Sequence, residues 1–249
     1  MKFCIVLQAR VGSTRFPGKI LKNIYNNYNS LSFLINLIKK TNYNLVVATT
    51  KSPNDNKIVN ICKKNNTYYF RGSQNDVYQR YKLTAKKFNI DNIIRITSDC
   101  PLLDLELLNK MKKNFIKFDL DYISNTLPIK KSKFPNGSDI EIFKSKLFKK
   151  YHSLSKKDKE HVTNVFWQDK NLKKKTYLNN KNYSHIRYTL DYRNDLIVIK
   201  KILLYLKKNK KKITYLNITN FLLNNPEIMN LNKYANNIFQ GKIIKKKNK

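Results

Sequence analysis

Acidic residues are scarce in this chain. Aspartate and glutamate together number 16 against 51 lysines and arginines in 249 residues, a formal net charge of +35. Glycine numbers five and proline six, too few for a flexible or proline-rich linker, and no internal repeat divides the chain. The three cysteines, Cys4, Cys62 and Cys100, lie far apart with no metal-type spacing. So sparse and odd a set excludes a disulfide framework and fits a reducing compartment. No apolar run reaches the roughly 18 residues of a spanning helix. The chain enters an apolar strand at once, without the long apolar segment and small-residue cleavage site of a signal peptide. A cytoplasmic protein without membrane insertion is expected.

The positive charge is nearly all lysine and is spread along the whole chain. Lysine, asparagine and isoleucine are all abundant and share AT-rich codons, so genome composition is a sufficient account of it. A basic protein for RNA or a membrane surface is the competing class. It would need a clustered basic face, and the plentiful tyrosines are not interleaved with arginine as on a nucleic-acid platform. No specific nucleic-acid partner is expected. The lysine bias makes the exceptions informative. Arginine persists only at Arg10, Arg15, Arg71, Arg80, Arg95, Arg187 and Arg193, and glycine only at Gly12, Gly18, Gly72, Gly137 and Gly241. Arginine offers a planar fork that lysine cannot replace, and glycine offers backbone conformations closed to other residues.

Those exceptions crowd the opening stretch. Phe3 to Leu7 is an apolar run of strand length, followed by a loop with Arg10, Gly12, Ser13, Arg15, Gly18 and Lys19. Cations, glycines and hydroxyls directly after a strand make a cradle for phosphate. The spacing is not that of the P-loop, since Lys19 is followed by Ile20.

Beyond it, periodicity predicts helices over 30–40 (with Ser30 as N-cap), 54–64, 77–88 and 105–118. Strands are predicted over 45–48, 67–70 and 93–96. This alternation argues an α/β class with a parallel sheet and crossover helices, in which ligands bind beyond the carboxyl ends of the strands. The loops at 8–19, 71–76 and 97–101 then share one edge, gathering Arg10, Arg15, Lys19, Arg71 and Asp99 around a cleft. In the second half, strands are predicted over 121–124, 137–143 and 185–190. Helices are predicted over 145–151, 157–168, 195–206 and 214–224. One domain over 1–249 is expected, its core about 1–206, with a helical extension and basic tail over 207–249.

Several side chains could carry chemistry. Asp99, at a strand end facing the phosphate loop, suits a Mg²⁺ ligand, or else caps the next helix, a task for which Asp104 is better placed. Asp191 is a second such carboxylate, or the N-cap of the last long helix. Asp139 and Glu141 share one strand face and could meet substrate hydroxyls or solvent. His161 is a substrate contact or a surface helix histidine. Cys100 is a nucleophile without an evident histidine partner, or a buried thiol. Asp119-Leu-Asp121 matches the short metal motif of glycosyltransferases that use nucleotide sugars, the runner-up enzyme class.

Gln8-Ala-Arg-Val-Gly-Ser-Thr-Arg-Phe-Pro-Gly-Lys19 resembles the signature loop of the sugar cytidylyltransferases, and is most similar to that of the spore-coat-polysaccharide type. The same type resembles this chain at Arg71-Gly-Ser-Gln-Asn-Asp-Val77, Arg95-Ile-Thr-Ser-Asp-Cys-Pro-Leu102, Ser124-Asn-Thr-Leu-Pro128, Gly137-Ser-Asp-Ile-Glu141, Glu160-His-Val-Thr163 and Tyr188-Thr-Leu-Asp191. Departures are Ser98 for glycine, Phe16 for leucine, and Tyr192-Arg193-Asn194 for Thr-Pro-Glu. The resemblance implies a Rossmann-like three-layer α/β/α nucleotidyltransferase fold of the nucleotide-diphospho-sugar (GT-A-like) kind, in a protein that is often a homodimer. It implies transfer of CMP from CTP to a sugar, an acidic one by family, with Mg²⁺ and release of pyrophosphate. By the same resemblance Ala9, Arg10, Ser13, Arg15 and Lys19 hold the triphosphate, and Arg71 and Arg80 help hold the nucleotide. Asp99 and Asp191 bind Mg²⁺, and Asn125, Asp139, Glu141 and His161 face the sugar. Arg10, Lys19 and Asp99 are the implied catalytic residues.

Overall fold

The computed structural model describes residues 2–235, so the basic tail expected over 242–249 lies outside the described residues. β1 (Phe3–Gln8) leads through the cation-bearing loop and a 3₁₀ turn (Lys19–Leu21) to a small antiparallel hairpin, β2 (Asn23–Tyr25) and β3 (Tyr28–Asn29). Next come α1 (Ser30–Lys39), β4 (Asn44–Thr50), α2 (Asn56–Lys64), β5 (Tyr68–Gly72), α3 (Val77–Lys87), β6 (Asn92–Thr97) and α4 (Leu105–Lys117), alternating as the pattern predicts. The second half holds β7 (Tyr122–Ser124), β8 (Glu141–Lys144), α5 (Lys156–His161), α6 (Asn164–Gln168) and β9 (Lys174–Thr176). It ends with α7 (Arg193–Lys208), α8 (Tyr215–Leu223) and α9 (Pro226–Asn230).

Seven strands form one sheet in the order β5-β4-β1-β6-β8-β7-β9. Every neighbouring pair is parallel except those of β8, which runs against β6 and β7. Ile5 and Leu7 of β1 face one side of the sheet, in a core with Leu34, Ile58 and Leu108 of α1, α2 and α4. Cys4 and Val6 face the other, in a core with Tyr81 of α3 and Phe166 of α6. Period-two alternation on a strand covered on both faces makes the run continuously apolar and gives the three-layer α/β/α arrangement. A third cluster packs Phe16, Tyr188 and Leu190 against α7 and α8. The carboxyl ends of β1, β4, β5 and β6 lie at one edge. Because β8 is reversed, its start at Glu141 lies there too.

Four local expectations are corrected. Asn29, not Ser30, caps α1, accepting the Ser32 N–H at 2.8 Å. Strand β8 begins only at Glu141, because Ile140 N–H is held instead by the buried Asn125 amide at 2.9 Å. The helix expected over 157–168 breaks at the buried Val162, whose φ is 54°. Residues 185–190 make one isolated bridge, Asn136 to Arg187, since their hydrogen bonds run to two loops rather than to a strand. Asp104 does cap α4, accepting the Leu107 N–H at 2.9 Å.

Candidate active site

The loop after β1 is shaped by its backbone. Gly18, at φ 66°, occupies the left-handed region that glycine favours and turns the chain into the Lys19–Leu21 turn. Phe16 and Ile20 are buried and anchor the turn from below. On the β4 side, the buried Asp55 accepts the Val11 N–H at 2.7 Å and is bonded by the Thr50 hydroxyl. Arg71 fastens that β4–α2 connection: its guanidinium donates to Thr50 O (2.9 Å), Ser52 O (2.8 Å) and Asn56 Oδ1 (2.8 Å).

On the other side the loop meets charge. Lys19 Nζ lies 2.9 Å from Asp99 Oδ2 and 2.8 Å from Asp191 Oδ1, and Arg15 reaches the same Asp191 oxygen at 2.7 Å. Burial works against the Lys19 ammonium, but the carboxylates of Asp99 and Asp191 outweigh it and hold its pKa above the usual 10.5. Burial likewise works against the Asp191 carboxylate, but Lys19, then Arg15 and Arg187, hold its pKa below 3.8.

Asp191 is brought here by the 185–190 segment. Leu190 N–H donates to Asp99 O at 2.7 Å, and Thr189 Oγ1 donates to the same oxygen at 3.0 Å. Gly137, at φ 117°, lets that segment pass, since a Cβ there would lie 2.6 Å from Thr189 N. Behind Asp191, Arg187 donates to its Oδ2 at 3.0 Å and forks onto Asp195 at 3.0 and 3.1 Å. Tyr192, not Asp191, is the N-cap of α7, and Asp195 in the first turn completes a capping box by accepting the N–H groups of Asp191 and Tyr192 at 2.8 and 2.9 Å. Asn232, beyond α9, closes the network by donating to Asp195 Oδ1 at 2.8 Å.

Two adjoining cavities of about 760 and 290 Å³ open here, sharing Gln8, Arg10, Thr97, Asp99 and Glu160 in their walls. The smaller is lined by Ser13, Arg15 and Lys19, and a Cβ at Gly12, also in its wall, would meet nothing within 4 Å. Arg10 is exposed in both walls and has no ion pair among the described residues. Asp139, Glu141 and His161 line the larger cavity, with Lys156 and Lys159 of α5. Burial, then the charge of Asp99, pushes the Asp139 carboxyl up to about 6. Glu141 is already engaged, by Arg95 at 2.7 Å and by the Tyr122 hydroxyl at 3.1 Å.

Four predicted contacts do not reach these walls, and each has a partner or position elsewhere. The Ala9 methyl is in the core and its N–H donates to Ala48 O. Arg71 is spent on the β4–α2 connection. Arg80 is fully buried beneath the 72–76 loop and donates to Ser73 O at 2.7 Å, and burial lowers its pKa. Asn125 is fully buried, its amide shared between Ser138 O and Ile140 N. These four residues shape the walls without lining them.

The sequence pattern assigns no role to Arg95, Arg187 or Asp195. The scarcity of arginine flags the first two, but their partners Glu141 and Asp195 are not visible from spacing. Cys100 is a buried thiol 3.5 Å from Asp139 Oδ2, and burial drives its pKa well up, so it is no nucleophile. The Asp119-Leu-Asp121 motif lies at the opposite sheet edge, before β7, where both carboxylates pair with Lys144 at 2.8 and 3.2 Å. No described helix is long and apolar enough to cross a membrane.

The site fits a divalent ion in one specific way. Among the described residues no group of three or more histidine, cysteine or carboxylate side chains could hold a metal alone. Asp99 and Asp191 do converge on one cation, the Lys19 ammonium. Two carboxylates completed by phosphate oxygens suit Mg²⁺, which keeps few protein ligands.

A mostly parallel sheet that gathers a cation-bearing loop and a carboxylate pair at its strand ends defines an α/β nucleotidyltransferase. Residues 4–228 match the cytidylyltransferase family, and the chain belongs to it. It is therefore an enzyme of cytidylyl transfer. It is 33% identical over 243 residues to the uncharacterized protein MJ1063 of Methanocaldococcus jannaschii, covering 93% of this chain and 95% of that one. It is 33% identical over 123 residues to the spore coat polysaccharide biosynthesis protein SpsF of Bacillus subtilis, covering 47% of this chain and 51% of SpsF. The solved structure of a cytidylyltransferase from Leptospira borgpetersenii is 33% identical, with a TM-score of 0.85 over 92% of this chain and 97% of that one.

Proposed function

We propose that the cleft transfers CMP from CTP to an acidic sugar, releasing pyrophosphate, in the making of a surface polysaccharide or other glycan. The convergence of Arg15, Lys19, Asp99 and Asp191 from three separate chain segments onto one point carries this reading. Arg10, Ser13, Arg15 and Lys19 would hold the triphosphate, and Asp99 and Asp191 would hold Mg²⁺. When bound, that ion neutralises phosphate oxygens and the charge growing on the leaving group. A sugar hydroxyl bonds to the α-phosphorus as the bond to the β-phosphate bridging oxygen breaks. Arg15 and Lys19 stabilise the departing pyrophosphate by fixed charge. Asp139, with a pKa of about 6, is suited to take the hydroxyl proton. The exposed Lys156 and Lys159, in a wall that also carries Glu160 and His161, give the larger cavity two cations for a carboxylated sugar. The similarity to SpsF, a spore coat polysaccharide biosynthesis protein, supports the polysaccharide context. Three free thiols support a reducing cytoplasm.

A thermal-shift panel of CTP, UTP, ATP, a UDP-sugar and RNA, each with and without Mg²⁺, tests this. Stabilisation by CTP that depends on Mg²⁺ is expected. A response to RNA or to the UDP-sugar instead contradicts it.

A further inference from the structure

Asp99 and Asp191 lie close enough to repel, and one ammonium holds them together. Lys19 Nζ sits 2.9 Å from the first and 2.8 Å from the second, on a side chain only 11% exposed. Both oxygens of Asp191 are engaged, Oδ1 by Lys19 and Arg15 and Oδ2 by Arg187. A divalent ion approaching this pair therefore meets a positive charge at the point it would occupy, and like charges at such range disfavour each other strongly. Arg187 and Asp195 are buried and held to each other by two hydrogen bonds. Lys19 is a flexible chain rooted at the Gly18 turn, beside the open wall of the smaller cavity.

We propose that the Lys19 ammonium is a built-in counter-cation that keeps a divalent ion out of the Asp99–Asp191 pair until a nucleoside triphosphate draws it away. This rests on the reading that a triphosphate and a divalent ion share the cleft. Triphosphate oxygens offer Lys19 and Arg15 new anionic partners, and the two carboxylates are released together. Ion entry is thereby coupled to nucleotide entry, and the free enzyme discriminates against divalent ions. The coupling assigns Lys19 a task before chemistry, separate from its grip on phosphate.

Mn²⁺ binding to the nucleotide-free protein, read by the electron-paramagnetic signal of the free ion, decides this. The Lys19→Met variant is expected to bind Mn²⁺ about tenfold or more tighter than the wild type, because Asp99 is left without its counter-charge. Asp99→Asn added to Lys19→Met is expected to abolish the gain. Lys19→Gln serves the same comparison if circular dichroism shows Lys19→Met unfolded. Equal or weaker Mn²⁺ affinity in the folded Lys19 variant overturns the proposal. A parallel titration with CTP, read by water-proton relaxation, is expected to tighten Mn²⁺ on the wild type. Should CTP not bind at all, the functional reading fails, while the nucleotide-free comparison still judges Lys19 by itself.

Discussion

The loop between Val11 and Lys19 is held from two sides by contacts of different kinds. Towards β4 the bonds are directed at backbone: Asp55 accepts the Val11 N–H, and Arg71 fastens the connection that carries Asp55 through the carbonyls of Thr50 and Ser52. Towards Asp191 they are charge to charge, through Arg15 and Lys19. Backbone-directed bonds fix a shape, and a ligand cannot replace them without undoing the turn. Ion pairs at a cavity wall are exchangeable, because a phosphate oxygen can take the place of a carboxylate. One side of the loop thus sets geometry, and the other is free to exchange partners.

The largest effect should come from the exchangeable side. Lys19→Met is expected to lower kcat for pyrophosphate release by about 10²–10³-fold with an unchanged far-UV circular dichroism spectrum. Asp139→Asn should separate activity from stability. Its raised pKa means that the ionised carboxyl costs stability above about pH 6, and that this cost fades as pH falls towards 3.8. The variant should therefore lose about 10²-fold in kcat yet melt higher at pH 8, with no gain near pH 3.

On the geometric side, Asp55→Ala leaves the Val11 N–H and Thr50 hydroxyl without their acceptor. A loss of about 1–3 kcal/mol is expected in urea denaturation, with KM for CTP raised more than kcat is lowered. A rise in KM without lost stability would show that Asp55 does not set the loop's shape. The ionic side also has a pH signature. Asp191 contributes stability that is present above its ordinary pKa and lost as pH falls through its depressed one. Lys19 contributes stability present below 10.5 and lost as pH rises through its elevated pKa. The stability difference between wild type and Lys19→Met should therefore shrink at both ends of the pH range, and a constant difference would contradict the pairing. Asn232→Ala, two bonds removed from Asp191, should act least. About 1 kcal/mol of stability and a few-fold fall in kcat are expected, read by urea denaturation and steady-state kinetics.

The same contrast explains what could be read before the fold was known. β1, β4 and β6 are covered on both faces, so they appear as continuous apolar runs, and their following loops share an edge by topology. Asp99 and Asp191 were legible as scarce acids at the ends of predicted strands, and Lys19 by its place beside the persistent arginines and glycines of the opening loop. The segment over 185–190 was not, because its partners are the loops at Asn136 and Asp99 rather than a strand. The use of Arg71 was not legible either. Scarcity marked it as functional, but only the path of residues 50–56 reveals that its fork is consumed there. Asn125 shares this fate: a motif residue whose amide is spent on holding Asp139 and Glu141 in the wall. Residues that shape a site and residues that line it leave the same mark on a sequence.

The proposed role of the loop's exchangeable side is to grip a cytidine triphosphate. Calorimetric titration of CTP with Mg²⁺ into wild type, Lys19→Met and Asn232→Ala tests it most directly. Saturable binding to wild type, near-normal binding to Asn232→Ala, and loss of binding in a folded Lys19→Met are expected. CTP affinity in Lys19→Met equal to that of the wild type would contradict it.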